Sequence, residues 1–367
     1  GSVPCVYSVR SEEDRSGMET QAGDRSVADG KHFIKILVFY AEKCLADQKK
    51  SSTLNNRYNT FRCQFDTKFP EEMILRKERK YMTYEEFLSG LEKAIFVQRR
   101  EEETIKRVQV LKNNGVQLDG FSCVMEGHRE QPTVYVNHYF REDVTKEDLC
   151  TLAAMVLKIQ RDSMLHQTGD FEMLLDYEKM KKRIYCRLIS RNKNEDLLKT
   201  VPWIPWMDLA IVFYMEIPGR LIKNATALIR TAHMERWKIT EDQLFERAKK
   251  NLQRRGFRMV AMTEFLGDQV ECPDAEMYIL NTKKPEFGAA VFIDSQVRRI
   301  CAQQIGGSYY ILPSSIHELI LLPDKVDYER KELDELVRQV NSQCVEAEDF
   351  LSDHAYYYNA QKDRIEF

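Results

Sequence analysis

The sequence predicts an α+β fold, with mixed α/β as the alternative: antiparallel hairpins and a mixed sheet packed with amphipathic helices. Three observations predict it. Short apolar runs bounded by Pro or Gly, such as Tyr309–Leu312 and Leu319–Leu322, have the length and composition of buried strands. Asn113-Asn114-Gly115 falls between two β-type runs, and Asn-Gly is a strong hairpin signal. Thr83 with Glu86, and Thr240 with Gln243, stand at capping-box spacing and open stretches with apolar residues at helical intervals. Strands and helices alternate only loosely, which disfavours a doubly wound sheet.

Taken in order, residues 1–81 show no sustained periodicity. Gly1-Ser2 has the form of a cloning scar. Lys77-Glu78-Arg79 can be encoded AAG-GAG-AGG, a ribosome-binding sequence upstream of Met82. The expectation is that Met82 is the native start and that 1–81 is translated upstream sequence; a poorly ordered extension is the alternative. Residues 82–367 are expected to form a single globular α+β domain, two lobes divided near 200–206 being the alternative.

The first helix follows Thr83, with Tyr84, Phe87, Leu88, Leu91, Ala94 and Ile95 recurring at helical spacing. Val108–Phe140 is expected to be a meander of short strands turning at Asn114-Gly115 and again at Glu126-Gly127-His128. Thr145-Lys-Glu-Asp148 is an N-cap with an acidic first turn, leading a helix whose apolar face is Leu149, Leu152, Met155, Val156 and Ile159. A second helix is expected over about Phe171–Ser190. Val201–Asp208, with two prolines, is expected to be an extended connector whose Trp203 and Trp206 pack in the core or at a lobe interface rather than line a pocket. Leu209–Met215 is a strand, and Thr240 opens a helix ending near Asn251. Met277–Leu280 and Gly288–Ile293 are expected strands. Asp294 caps a helix holding Val297, Ile300, Cys301 and Ile305, stopped by Gly306-Gly307. After the two strands named first come a helix over Glu329–Val340 and a strand-like Ala355–Tyr358.

Composition is that of a globular protein: 43% hydrophobic, 31% charged, net charge -3. That balance gives no reason to expect nucleic-acid binding, which is not expected here. Lys181–Arg183 reads as a solvated face, and nucleic-acid contact would require it to share one continuous face with Lys249–Arg255. No run is long and apolar enough for a membrane span, so no membrane association is expected. The nine cysteines are odd in number and none forms a C-x-x-C pair, which argues for free thiols in a reducing cytoplasm. Cys150, Cys186 and Cys301 read as small core residues in helices. No G-x-G-x-x-G or Walker pattern is present, so no cofactor and no resident metal is expected.

Specific motifs recur from Met82 onward. They are Lys112-Asn-Asn-Gly-Val-Gln-Leu-Asp-Gly120, Val201-Pro-Trp-Ile-Pro205, Asp208-Leu-Ala-Ile-Val-Phe-Tyr214, Asn224-Ala-Thr226 and His233 through Trp237-Lys-Ile-Thr240. Gly288-Ala-Ala290, Tyr310-Ile-Leu-Pro-Ser-Ser-Ile-His-Glu318 and Leu351-Ser-Asp-His-Ala-Tyr-Tyr-Tyr358 continue the series. In these the chain resembles a bacterial family of anaerobic Gram-positive organisms, domain of unknown function 5688. The resemblance implies no activity and carries no catalytic roles. Residues 1–81 have no counterpart in it.

Chemistry-bearing side chains concentrate in Ser314, Ser315, His317 and Glu318. On a strand, Ser315 and His317 would share a face and Glu318 would point away. No G-x-S-x-G elbow and no H-E-x-x-H accompanies them. The expectation is a non-enzymatic cytoplasmic binding or regulatory protein with a protein or small-molecule partner. The alternative is a hydrolase or metal-dependent enzyme around Ser315, His317 and Glu318, drawing on His233, Asp353 and His354. The two readings separate on whether three or more of these side chains converge in one cleft.

Overall fold

The computed structural model describes residues 81–125, 133–165, 171–220, 225–266, 277–284, 286–325 and 328–366. The readings of residues 1–80, of the turn at 126–128 and of Asn224 lie outside them. The chain divides into two compact units. Among the described residues, 81–110 and 118–165 belong to the smaller unit, and 111–117 with 171–366 to the larger.

The smaller unit begins with α1, Tyr84–Gln98. Thr83 and Glu86 exchange the two capping-box hydrogen bonds at its start. Phe87, Leu88, Leu91 and Ile95 are buried, which is one face of a helix. Strands β1 (Glu103–Leu111), β2 (Gln117–Met125) and β3 (Thr133–Tyr135) form a sheet in that order. β1 starts earlier than the expected Val108. It meets β2 through a 3-10 turn, where Asn114 (φ 58) and Gly115 (φ 72) take left-handed backbone. α2, Lys146–Leu165, is led by reciprocal bonds between Thr145 and Asp148. Leu149, Val156 and Phe121 close the core against α1.

Besides residues 111–117, the larger unit contains a 3-10 segment, Phe171–Leu175, a short α3, Tyr177–Met180, and a second 3-10 turn, Lys181–Arg183. Then comes strand β4, Ile184–Ser190. The helix expected over Phe171–Ser190 is therefore corrected: its second half alternates buried and half-buried, the signature of a strand. α4, Glu195–Leu198, leads to β5, Trp203–Trp206, and β6, Leu209–Glu216. The expected extended connector is thus a strand paired with β6, turned at Met207 with φ 55. Pro205 is tolerated because β5 is bonded on one side alone in the described sheet. β7 (Thr226–Leu228) extends the same edge of β6.

Helices α5 (Thr231–Trp237) and α6 (Glu241–Arg255) follow, α6 running past the expected end at Asn251. The rest is β8 (Phe257–Ala261), α7 (Met262–Leu266), β9 (Tyr278–Thr282), α8 (Ser295–Ile305), β10 (Tyr309–Pro313), β11 (Leu319–Pro323), α9 (Arg330–Cys344), β12 (Tyr356–Asn359) and β13 (Arg364–Glu366). Six of these strands make one sheet in the order β13-β12-β10-β11-β9-β8, antiparallel at each junction. The fold is α+β, and antiparallel pairing replaces the expected mixed sheet. Gly288–Ile293, expected as a strand, is a buried 3-10 helix.

Side chains alternate across a strand, and the register of β4 with β6 divides them cleanly. Ile184, Cys186 and Leu188 pair with Met215, Phe213 and Ile211 and enter the main core with Leu244, Leu252 and Tyr309. On the other face Ile189, Ala210 and Val212 make a small cluster with Leu197, Leu198 and Val201. That same face carries Tyr185, Arg187 and Tyr214. The expected core role of the three cysteines holds for Cys301 in α8 and for Cys186, which is on a strand; Cys150 is exposed on α2. Ile300, also expected inside, is exposed. Cys150, Cys186, Cys301 and Cys344 are free thiols. Among the described residues no helix is long and apolar enough to cross a membrane.

Candidate functional site

β10 ends at Pro313 and β11 begins at Leu319, so Ser315, His317 and Glu318 stand in a loop, and strand alternation does not apply to them. The loop closes on itself. Ser315 Oγ donates to Glu318 Oε1 at 2.9 Å and accepts from the His317 N–H at 3.0 Å. Ser314 Oγ is buried with no hydrogen bond. His317 Nδ1 accepts from the Phe287 N–H at 3.1 Å, which leaves the ring proton on Nε2, 3.2 Å from Asp349 Oδ1. Phe287 reaches this position through left-handed backbone, φ 55.

The other three candidates belong to two further hydrogen-bond groups. His233 is buried at the third position of α5, where Nδ1 accepts from the Arg230 N–H at 3.0 Å. It fills the role that Glu or Gln takes in a capping box. Burial holds its pKa below the usual histidine value. Asp353 and His354 form the third group: His354 Nδ1 lies 3.0 Å from Asp353 Oδ1 and 3.3 Å from Ser352 Oγ. His354 Nε2 is 3.7 Å from Asp208 Oδ2, and Tyr356 OH donates to Asp208 Oδ1 at 2.9 Å. The hydrogen bond to His354 keeps the Asp353 carboxyl below its ordinary pKa. Among the described residues no three His, Cys, Asp or Glu side chains are grouped to hold a metal ion. Burial pushes the Cys186 and Cys301 thiols up to about 12, away from nucleophile chemistry.

Three residues that the sequence did not single out complete the surroundings of His317: Arg187, Phe287 and Asp349. The His317 and Phe287 rings stack, 5.5 Å apart and 17° from parallel. Arg187 Cζ sits 5.0 Å from the Phe287 ring centre, and Tyr214 meets the same ring edge-on at 4.8 Å. All but Tyr214 are half-buried, so the row reaches the surface.

Arg187 is the unusual member. Its Nε is shut off from solvent and has no hydrogen-bond partner. Burial lowers the guanidinium pKa to about 10, against the opposing pull of Tyr214, Asp349 and Glu348. An arginine does not surrender its proton near neutral pH, so the guanidinium stays charged at a position where burial strips part of its hydration. The only signal in the sequence is one Arg within the otherwise apolar Ile184–Ile189 run.

No curated protein and no solved structure matches this chain. The model of a family of unknown function, DUF5688, matches residues 84–360, more than half of the 367 residues, and the chain belongs to that family.

Proposed function

We propose that the protein is a non-enzymatic binding protein with a regulatory role in the bacterial cytoplasm, and that Arg187 anchors its ligand, a small anion. The observation that carries this is the guanidinium face-packed on Phe287 with its Nε unpaired. A carboxylate offers two acceptor oxygens that match the arginine fork, and the pairing gains strength where water is excluded. Asp349 and Glu348 contribute negative charge nearby, which favours a singly charged carboxylate over a dianionic phosphate. The free thiols support a reducing compartment. The alternative, a hydrolase built on Ser315, His317 and Glu318, would need Ser315 Oγ to reach a ring nitrogen of His317, and both nitrogens face other groups.

The test is thermal unfolding of the full chain with acetate, benzoate, inorganic phosphate and nucleotides, repeated on Arg187→Met. A ligand at 100-fold its Kd stabilises by about 2.7 kcal/mol. For a unit of this size that raises Tm by roughly 5–10 °C. A carboxylate that stabilises the parent and not the variant supports the reading. Stabilisation that survives Arg187→Met, or no response to any anion, overturns it.

A further inference from the structure

We infer that the basic face shared by α6 and the Lys181–Arg183 turn docks the phosphate backbone of a nucleic acid. The two basic runs are far apart in the chain; α6 packs with β4 in the main core, and one side chain ties the helix to the turn. Asn251 is buried in α6, and its Nδ2 donates to Lys181 O and to Ile184 O, each at 2.7 Å. The turn is thereby pinned to the flank of the helix at Asn251.

Arg247, Lys250 and Arg254 recur along α6 at helical spacing beside that anchor, forming one stripe about 10 Å long. Lys182 and Arg183 on the turn, and Lys250 and Arg254 on the helix, are exposed; Arg247 is half-buried. No ion pair or hydrogen bond to these five cationic side chains is found among the described residues. The contrast with their neighbours is informative. Lys181 is paired with Glu178, Arg255 with Glu216 and Tyr214, Lys284 with Glu216, and Lys179 with Asp176. Glu246, one turn before Lys250, forms no ion pair with it. Cations surrounding the face are neutralised within the fold, and those on it are left to solvent.

An extended row of unpaired Lys and Arg matches a partner whose negative charges are regularly spaced along a chain, and phosphate also suits the arginine fork. The chain as a whole carries net charge -3, so the attraction is local and steeply dependent on salt. With three to five phosphates neutralised, log Kd for a single strand changes with log salt with a slope of about 2 to 3.5.

The experiment is fluorescence anisotropy of a labelled single-stranded 20-mer, and of its duplex, with the full chain at several salt concentrations. Polyglutamate serves as competitor. Lys250→Ala with Arg254→Ala, and separately Lys182→Ala with Arg183→Ala, remove exposed charges only. Each double variant is expected to lower the slope by about 1.4 and to weaken binding roughly 25-fold at 0.1 M salt. The inference is overturned by absence of binding at low salt, by binding that both double variants retain in full, or by polyglutamate displacing the strand at equal charge, which would make the partner an acidic protein. Should one pair unfold the chain, the other decides, since the turn and the helix carry the face independently.

Discussion

Gly288 is the tightest point beneath the loop that holds His317, and Gly288→Ala tests that geometry. A Cβ on residue 288 would lie 2.3 Å from His317 O, 2.8 Å from Asn281 Cβ and 2.9 Å from Thr282 N. Two of these atoms are backbone, so no side-chain rotation relieves the clash. The segment cannot slide either: the Phe287 N–H is held by His317 Nδ1 and the Ala289 N–H by Ile316 O. Relief requires the 314–318 loop or the end of β9 to move. Overpacking costs about 1–3 kcal/mol, and backbone displacement puts this site near the top of that range, about 3 kcal/mol. In a unit of this size Tm should fall by roughly 6–12 °C. Gly307→Ala is the control: nothing lies within 4 Å of its added Cβ, and the cost should stay under about 0.5 kcal/mol. Calorimetry of both variants decides. If Gly288→Ala melts within a degree or so of the parent, the close approach of His317 to residue 288 is wrong, and the stacking of His317 on Phe287 loses its support.

Asn251→Ala removes both donors to the buried Lys181 and Ile184 carbonyls and should cost about 2–4 kcal/mol, read from the urea midpoint at unchanged m. In the smaller unit, Arg161 makes two bonds, 2.6 and 2.7 Å, to the fully buried Glu103 carboxylate. Arg161→Ala strands that charge and should cost about 3 kcal/mol by the same assay, the low end of the range because Arg161 is partly exposed. His233 gives a pH dependence whose sign follows from burial. Its folded pKa lies below 6.5, so as pH falls through that value the unfolded chain takes up a proton that the folded chain refuses, and stability declines. His233→Gln keeps an acceptor for the Arg230 N–H but cannot titrate; its Tm should vary less than the parent's between about pH 7 and 5. Equal pH slopes for the two proteins would show that His233 is not the titrating group.

Local chemistry made much of the fold legible. The capping boxes at Thr83 and Thr240 act within one turn of helix, and α1 and α6 begin where those residues place them. β10 and β11 lie where apolar runs end at Pro313 and Pro323. The errors have a common physical cause. Met180, Ile184 and Leu188 are four residues apart, a spacing that both a helix and a strand accept. Only the intervening Cys186, buried with them, and the pairing with β6 settle the matter as a strand. Gly288–Ile293 is buried at almost every position and so has no period to read. At Val201–Trp206 the prolines suggested a break, yet a strand bonded on one side keeps room for Pro205.

The sites were less legible, because their roles are set by partners remote in the chain. Ser315, His317 and Glu318 attract attention by residue type. What decides their chemistry is Phe287, 30 residues before His317, and Asp349, 32 residues after it. Arg187 carries little signal of its own until the register places it beside Val212, with Phe287 across its face. The basic runs show the same limit from the other side. Their charges are plain in the sequence, but their adjacency comes from contacts remote in the chain, among them an amide whose hydrogen bonds span 67 and 70 residues. An Asn in a helix interior is ordinarily a poor helix former facing solvent. Here its burial is the sign that the helix has a polar obligation elsewhere. The two unpaired features, Arg187 and the basic face, both follow from where Asn251 and the β6 register fix β4, so both proposals rest on the placement of that one strand.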